Sequence, residues 1–434
     1  MSEKKKIYKP KPISGFPEWL PEERMVEQRW FDQIRRVFES YGFCSIETPS
    51  VEELDVITAK GEVDKEIYTL ERLHNDDSDK EARLALHFDQ TVPLARYVAQ
   101  HFNDLIFPFK RYQMQRVWRG ERPQMGRMRE FYQCDIDVIN VDNLPIHFDA
   151  EVAAICYEAL EALDIGRVQL RISNRKIVMG YVESLGMEDA VPVTRIIDKI
   201  EKIGEDEVTK QLKSDCGLSD EQASDLIVLT KTEDVTSIDA KNDQMREGIE
   251  ELSFVLDQLK HLPEYAVKAD LTIIRGLDYY TGTVYETQLL DVPEFTGSVC
   301  SGGRYDDLAG QYINKHLPGV GISIGFSRLF DVMRQTHPDK LGIGPKSPAD
   351  ILMVLPNEDM RATAADAARS LRANGYKVEM YHAPQKIGKQ LAYAEKKGIP
   401  YVWFPPFEDG SDHEVKNMAS GEQVSADPDS WSTA

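Results

Sequence analysis

No run of about 18 consecutive apolar residues occurs in the 434-residue sequence, which excludes a membrane-spanning helix. Nothing apolar follows the opening Met1-Ser2-Glu3-Lys4-Lys5-Lys6, so a cleaved secretory signal is not expected. Cysteine is scarce. Cys44, Cys134, Cys156, Cys216 and Cys300 form an odd set without a Cys-x-x-Cys pair, against a disulfide framework and a structural zinc site. The 9 histidines include no His-x-x-x-His pair, against a zinc hydrolase. A Gly-x-x-x-x-Gly-Lys-Ser/Thr phosphate loop is also missing. Positive charge is in deficit: 52 Lys and Arg against 74 Asp and Glu give a net charge of −22, which repels nucleic acid on average. The expectation is a soluble, cytoplasmic, multi-domain protein.

The charge is unevenly spread. Residues 101–130 hold seven Lys/Arg and three Asp/Glu, whereas 188–261 hold nine and nineteen. A basic stretch set in an acidic chain suits a focused site for an anionic ligand, because the local field decides binding. The acidic stretch reads as a solvated surface.

Apolar spacing organises the chain. Val26, Trp30, Ile34, Val37 and Tyr41 predict a helix over 22–41, followed by a strand over 43–48. Strands are expected at 84–89, 109–118, 129–139 and 168–172, a polar loop at 120–128, and a long helix around Phe148 to Leu163. Residues 175–268 read as a helical insertion between strand-rich halves; strand-like sequence resumes at Leu271 and runs to Gly325. Leu341 to Pro348 is the clearest linker. Beyond it, β-α-β-α-β patterning predicts a small α/β domain. The expected division is 1–174, 175–268, 269–340, 341–348 and 349–434.

The densest chemistry runs from Arg111 to Asp137. Strand alternation places Phe131, Gln133, Asp135 and Asp137 on one face and Tyr132, Cys134, Ile136 and Val138 on the other, core-like face. The preceding loop carries Arg119, Glu121, Arg122, Arg127 and Arg129. Arginine forks suit polyphosphate, an aromatic face suits a nucleobase, and carboxylates suit a ligand amine or imidazole. Cys134, on the apolar face, reads as core. Three further clusters follow: Arg275-Gly-Leu-Asp-Tyr279-Tyr280, Cys300-Ser-Gly-Gly-Arg304-Tyr305-Asp306, and Gly319-Val-Gly321-Ile-Ser-Ile-Gly325-Phe-Ser-Arg328. Alternating glycines along a strand accommodate either a flat-lying ligand or close packing.

Together these residues resemble the class II aminoacyl-tRNA synthetases, and within them the histidyl-tRNA synthetase family. Arg119-x-Glu121 with Gly126-Arg127-x-Arg129-Glu130-Phe131-x-Gln133 resembles the class's second motif, Gly325-x-x-Arg328 its third, and the 22–41 helix with the strand ending at Pro49 its first. The clusters at 275–280 and 302–306 resemble two histidine-specific signatures. Leu86-x-x-Asp89-x-Thr91 and Cys134-Asp-Ile-Asp137 resemble the eukaryote-type variant. A non-catalytic relative would tend to lack the arginines and the 275–280 signature, which are present.

The resemblance implies an α+β fold: an antiparallel sheet flanked by helices, a helical insertion and a C-terminal α/β anticodon-binding domain. It implies that histidine and ATP give histidyl-adenylate and pyrophosphate, and that the histidyl group then passes to tRNA-His. By the same resemblance, Arg119 and Arg275 would stabilise the reacting α-phosphate. Asp89, Gln90, Thr91, Arg119, Gln133, Asp137, Arg275, Tyr279, Tyr280 and Tyr305 would bind histidine. Arg119, Glu121, Arg127, Phe131 and Arg328 would bind ATP, with Mg2+ on its phosphates and no direct side-chain ligand assigned. A homodimer and no membrane association are implied. One departure is Ser327, where the third motif usually has Glu; altered local support for Arg328 is the expected consequence. The C-terminal domain is itself acidic, so RNA contacts are expected from a few groups such as Lys386, Lys389 and Lys416.

Overall fold

The computed structural model describes residues 8–58, 66–71, 84–187, 189–274, 280–307, 309–407 and 411–433. It divides into two compact units: residues up to Glu18 with Trp30–Lys340, and Trp19–Arg29 with Leu341–Ala434.

In chain order, the first unit has strands β1 (Cys44–Ser45), β2 (Val51–Glu53), β3 (Thr69–Leu70), β4 (Leu84–Leu86), β5 (Phe109–Trp118), β6 (Glu130–Ile139), β7 (Val168–Asn174), β8 (Val267–Ala269), β9 (Thr283–Leu289), β10 (Cys300–Tyr305) and β11 (Gly319–Ile324). Eight form one sheet in the order β1-β5-β6-β11-β10-β9-β7-β8, and β2-β4-β3 form a small second sheet. The large sheet is antiparallel except at its edges, where β1 pairs with β5 and β8 with β7 in parallel. The strand read from Leu271 is displaced: β9 starts at Thr283, and the edge strand β8 precedes it.

One face of the sheet is apolar. Cys134, Ile136 and Val138 of β6 and Val320, Ile322 and Ile324 of β11 are buried there. Trp30 and Phe31 of the helix Pro21–Ser40 pack on Phe326 and Phe330 of the helix Phe326–Thr336, and Phe31 also meets Tyr132. The helix His147–Glu161 supplies eleven further buried residues. Burying a large apolar side chain stabilises by about 1.5–3 kcal/mol, so this layer holds the sheet rigid. The opposite face is polar and forms the floor of a cleft. Between β7 and β8 the chain is helical, with Arg175–Ser184, Val191–Ile197, Glu205–Cys216, Asp220–Thr230 and Asp243–Gln258 as its longer helices. Gly180 and Gly248 permit close approach there: a Cβ on Gly248 would lie 2.8 Å from Lys176 Cβ.

The second unit has a five-stranded sheet, β12 (Ile351–Met353), β13 (Val378–Met380), β14 (Tyr401–Phe404), β15 (Glu414–Asn417) and β16 (Gln423–Ser425), in the order β13-β12-β14-β15-β16. Helices Arg361–Ala373 and Ile387–Lys397 bury Ala364, Ala368, Leu371 and Ala394 against it. The alternating pattern read from the sequence covers β12 to β14. β15 and β16 extend the sheet antiparallel. Among the described residues no helix is long and apolar enough to cross a membrane.

Candidate active site

The cleft floor is built by register. On β5, Arg111, Gln113 and Gln115 lie opposite Asp137, Asp135 and Gln133 of β6. Across the other edge of β6, Asp137 faces Gly321 and Asp135 faces Ser323. Beyond β11, Ser301, Gly303 and Tyr305 of β10 pair with Ser323, Gly321 and Gly319. A two-residue period therefore brings these polar and small positions of four strands to one side.

The glycine strand makes room for the chain's own side chains. A Cβ on Gly321 would lie 2.0 Å from Asp137 Oδ1, and one on Gly319 would lie 2.3 Å from the Tyr305 ring. Tyr305 Oη donates to Asp137 Oδ1 at 3.1 Å, and Arg111 ion-pairs with Asp137 Oδ2 at 2.5 Å. Gly321→Ala should therefore expel Asp137 from its position; we expect little or no folded protein, measured as soluble yield and melting temperature. The segment Gly321-Ile-Ser323-Ile-Gly325 also spells the serine-hydrolase pattern Gly-x-Ser-x-Gly. That reading fails here: Ser323 lies within β11 and its Oγ accepts from Gln133 Nε2 at 2.6 Å. No histidine is among the described residues lining the cleft.

The signature at 302–306 splits by alternation. Tyr305 turns to the cleft floor, while Arg304 turns to the rear, where Nε and Nη2 donate to Asp149 at 3.1 and 2.7 Å. Arg304 thus anchors β10 to the helix His147–Glu161.

The cleft has a cavity volume of ≈ 710 Å³, and Asp89, Thr91, Arg119, Gln133, Asp135, Tyr280 and Arg328 are among its lining residues. A recess sharing Arg119, Gln133 and Arg328 adds Glu121 and Phe131. Arg119 stands where the two join. Its Nε donates to the Phe88 carbonyl at 3.0 Å, and its guanidinium lies 5.3 Å over the Phe131 ring. Arg127 pairs with Glu121 at 3.4 Å. Arg328 Nε donates to the Gly126 carbonyl at 2.9 Å and Nη1 to the Ser298 carbonyl at 2.8 Å. Burial and repulsion from Arg127 and Arg119 lower its pKa, the signature of cations gathered for an anion.

Ser327 does a different job from supporting Arg328. Its Oγ accepts from the Tyr132 backbone N–H at 2.9 Å, pinning the helix Phe326–Thr336 to β6. Two backbone carbonyls hold the neighbouring Arg328. Ser327→Ala should thus cost about 1–3 kcal/mol of stability by orphaning a buried donor. Its KM for ATP should stay at the wild-type value, as read from denaturant midpoints and exchange kinetics.

Other sequence-predicted residues are placed less simply. Gln90 is fully buried, and its Nε2 donates to the carbonyls of Gln115 and Gln133 at 2.9 and 3.2 Å, bracing the floor from behind. Asp137 and Tyr305 are buried beneath the cleft rather than lining it. Arg275 and Tyr279 lie outside the described residues. Sequence reasoning gave no role to Arg111, 0% exposed among carboxylates; it set Asp135 on the cleft face as a carboxylate suited to a ligand amine or imidazole, but not among the residues the resemblance implies. Burial drives Asp135 up to about 7 and Asp137 up to about 6 despite Arg111. Asp89 is raised for the same reason.

An antiparallel sheet with a polar floor, arginines at its rim and an aromatic recess is the arrangement that the resemblance to class II aminoacyl-tRNA synthetases implies. The histidyl-tRNA synthetase family model matches residues 15–329, and an anticodon binding domain model matches residues 350–432. The histidine–tRNA ligase of Thermobifida fusca is 56% identical over 99% of this chain and 100% of its own length. That of Bifidobacterium longum is 46% identical over 96% of both chains. A crystal structure of histidyl-tRNA synthetase from Nostoc superposes with a TM-score of 0.86 at 38% identity, covering 97% of each chain. The chain belongs to the histidyl-tRNA synthetase family.

Proposed function

We propose that the protein activates L-histidine with ATP and charges tRNA-His within the cleft described above. The observation that carries the reading is a pair of cavities that share Arg119, Gln133 and Arg328 in their walls. One is an arginine- and phenylalanine-lined recess, the other a chamber lined by Asp89, Thr91, Gln133 and Tyr280. A nucleotide and an amino acid bound at the two ends would meet at Arg119.

In the first step the histidine carboxylate attacks the α-phosphorus of ATP, and pyrophosphate leaves. Negative charge gathers at the pentavalent centre, where fixed cations stabilise it without reorganisation. Arg119 would hold the α-phosphate and the substrate carboxylate, and Arg275 would supply a second cation. Phe131 and Arg328 would enclose adenine, Glu121 would accept from its amine, and Arg127 would meet the outer phosphates. Asp89 and Thr91 would take the α-amine. Gln133 and Tyr280 would read the imidazole, with the Asp137–Tyr305 pair bracing the floor beneath them, so that an apolar competitor leaves polar groups unpaired. In the second step the 3′-terminal ribose hydroxyl of the tRNA attacks the histidyl carbonyl, and AMP leaves.

Bound with the ATP phosphates, Mg2+ would supply positive charge to the pyrophosphate leaving group. It takes oxygen donors, and Glu286 and Glu294 are carboxylates in the cleft wall. The proposal includes a homodimer in the cytoplasm, a catalytic core of 1–174 with 269–340, an insertion at 175–268, a linker at 341–348 and anticodon binding by 349–434. Lys386, Lys389 and Lys416 would contact RNA there.

The test is histidylation of tRNA-His transcript with labelled histidine, alongside sedimentation. Charging should need Mg2+, spare other transcripts, and come from a species of twice the chain mass. Charging of a different tRNA, or none by a folded dimer, would refute the reading.

A further inference from the structure

The cleft floor carries more negative charge than its own cations neutralise. Asp89, Asp135 and Asp137 are 3%, 4% and 4% exposed. Asp137 is satisfied, with Arg111 on one oxygen and Tyr305 on the other. Asp89 uses Oδ1 to accept from the Val92 N–H at 3.0 Å, at the start of the helix Thr91–Gln100. What remains is Asp89 Oδ2 and Asp135 Oδ1, both buried without a hydrogen-bond partner. Both residues line the cleft. The groups facing Asp135 are Arg111 from β5, Ser323 from β11, Asp137 on its own strand and Asp89, whose charge raises it further.

A buried carboxylate oxygen without a donor is costly, and two in one cavity cost more. The arrangement calls for a cation with several N–H groups. An imidazole is a poor match, because it is mostly neutral at pH 7. An ammonium fits, being predominantly charged there and carrying three donors.

We infer that Asp135 joins Asp89 in a two-carboxylate seat for the α-ammonium of the amino-acid substrate. This makes Asp135 a substrate-binding residue additional to those the family resemblance implies. Arg111 is then the counter-charge that keeps Asp137 out of the seat. The inference rests on the reading that the chamber takes histidine.

Two compounds separate the possibilities. Histidinol keeps the ammonium and the imidazole but lacks the carboxylate. 3-(Imidazol-4-yl)propionate keeps the imidazole and the carboxylate but lacks the ammonium. Each is titrated calorimetrically into full-length wild type and Asp135→Asn, with melting curves to confirm folding. The variant should bind histidinol more weakly by on the order of 10- to 100-fold. It should bind the propionate within about twofold of wild type. Equal weakening of both compounds would make Asp135 an imidazole reader or a structural group, and no weakening of either would leave it without a role. Each result overturns the inference while leaving the reading of the cleft intact. Wild type that binds neither compound would overturn that reading itself, and the inference with it. Should Asp135→Asn fail to fold, Asp135→Ser is used with the same criteria.

Discussion

Arg119→Ala is expected to lower kcat/KM for histidine-dependent pyrophosphate exchange by about 10²- to 10³-fold, the usual loss when one fixed donor to a developing charge is removed. Arg119 is among the side chains shared by the recess and the chamber, with Gln133 and Arg328, so it borders groups bound in either. Its Phe88 carbonyl contact and its position over Phe131 fix the guanidinium before substrate arrives. Pre-placement is what makes such a cation effective in a water-poor site. Arg119→Lys should recover only part of the loss, because an ammonium cannot reproduce the planar fork. The melting temperature should stay close to wild type, since the side chain holds no core packing together. A loss of stability without a specific loss of exchange would contradict the assignment.

The second large effect is structural. Arg111 is 0% exposed and faces the carboxylates of Asp137, Asp135 and Asp89. Arg111→Ala should destabilise the fold by about 3–5 kcal/mol, because removing one partner leaves a buried charge uncompensated. The loss should depend on pH. Asp135 and Asp137 already titrate near 7 and near 6, above their ordinary 3.8. Removing Arg111 moves both higher still. A carboxyl raised on folding costs nothing below its unfolded pKa, and the cost grows as pH rises through its folded value. The variant should therefore lie closest to wild type near pH 4 and furthest from it near pH 8. Urea midpoints at the two pH values measure this. A pH-independent difference would mean that Arg111 acts by packing alone.

Local pattern made much of this legible. β5 has the bounds that apolar spacing assigned, and the polar face Phe131-Gln133-Asp135-Asp137 follows from a period of two. What escaped is set at a distance. Arg111 looks like one more basic residue in a basic stretch, and only the register of β5 on β6 gives it Asp137. The glycines of β11 were readable as ligand space or as close packing; the structure fills that space with Asp137 and Tyr305. Gln90 sits beside Asp89 and Thr91 in sequence yet turns inward, because the helix beginning at Thr91 points it at β5 and β6. β15 surrounds the buried Val415 with half-buried polar residues and β16 is exposed, so no apolar alternation announced them. Ser327 looked like a missing support for Arg328, whose real supports are the carbonyls of Gly126 and Ser298.

The most direct test of the central claim is ATP–pyrophosphate exchange by the purified protein with each of the twenty amino acids offered separately. The account predicts exchange with histidine alone, because the chamber selects by paired polar groups. Exchange with another amino acid, or none from folded protein that binds ATP, would contradict it.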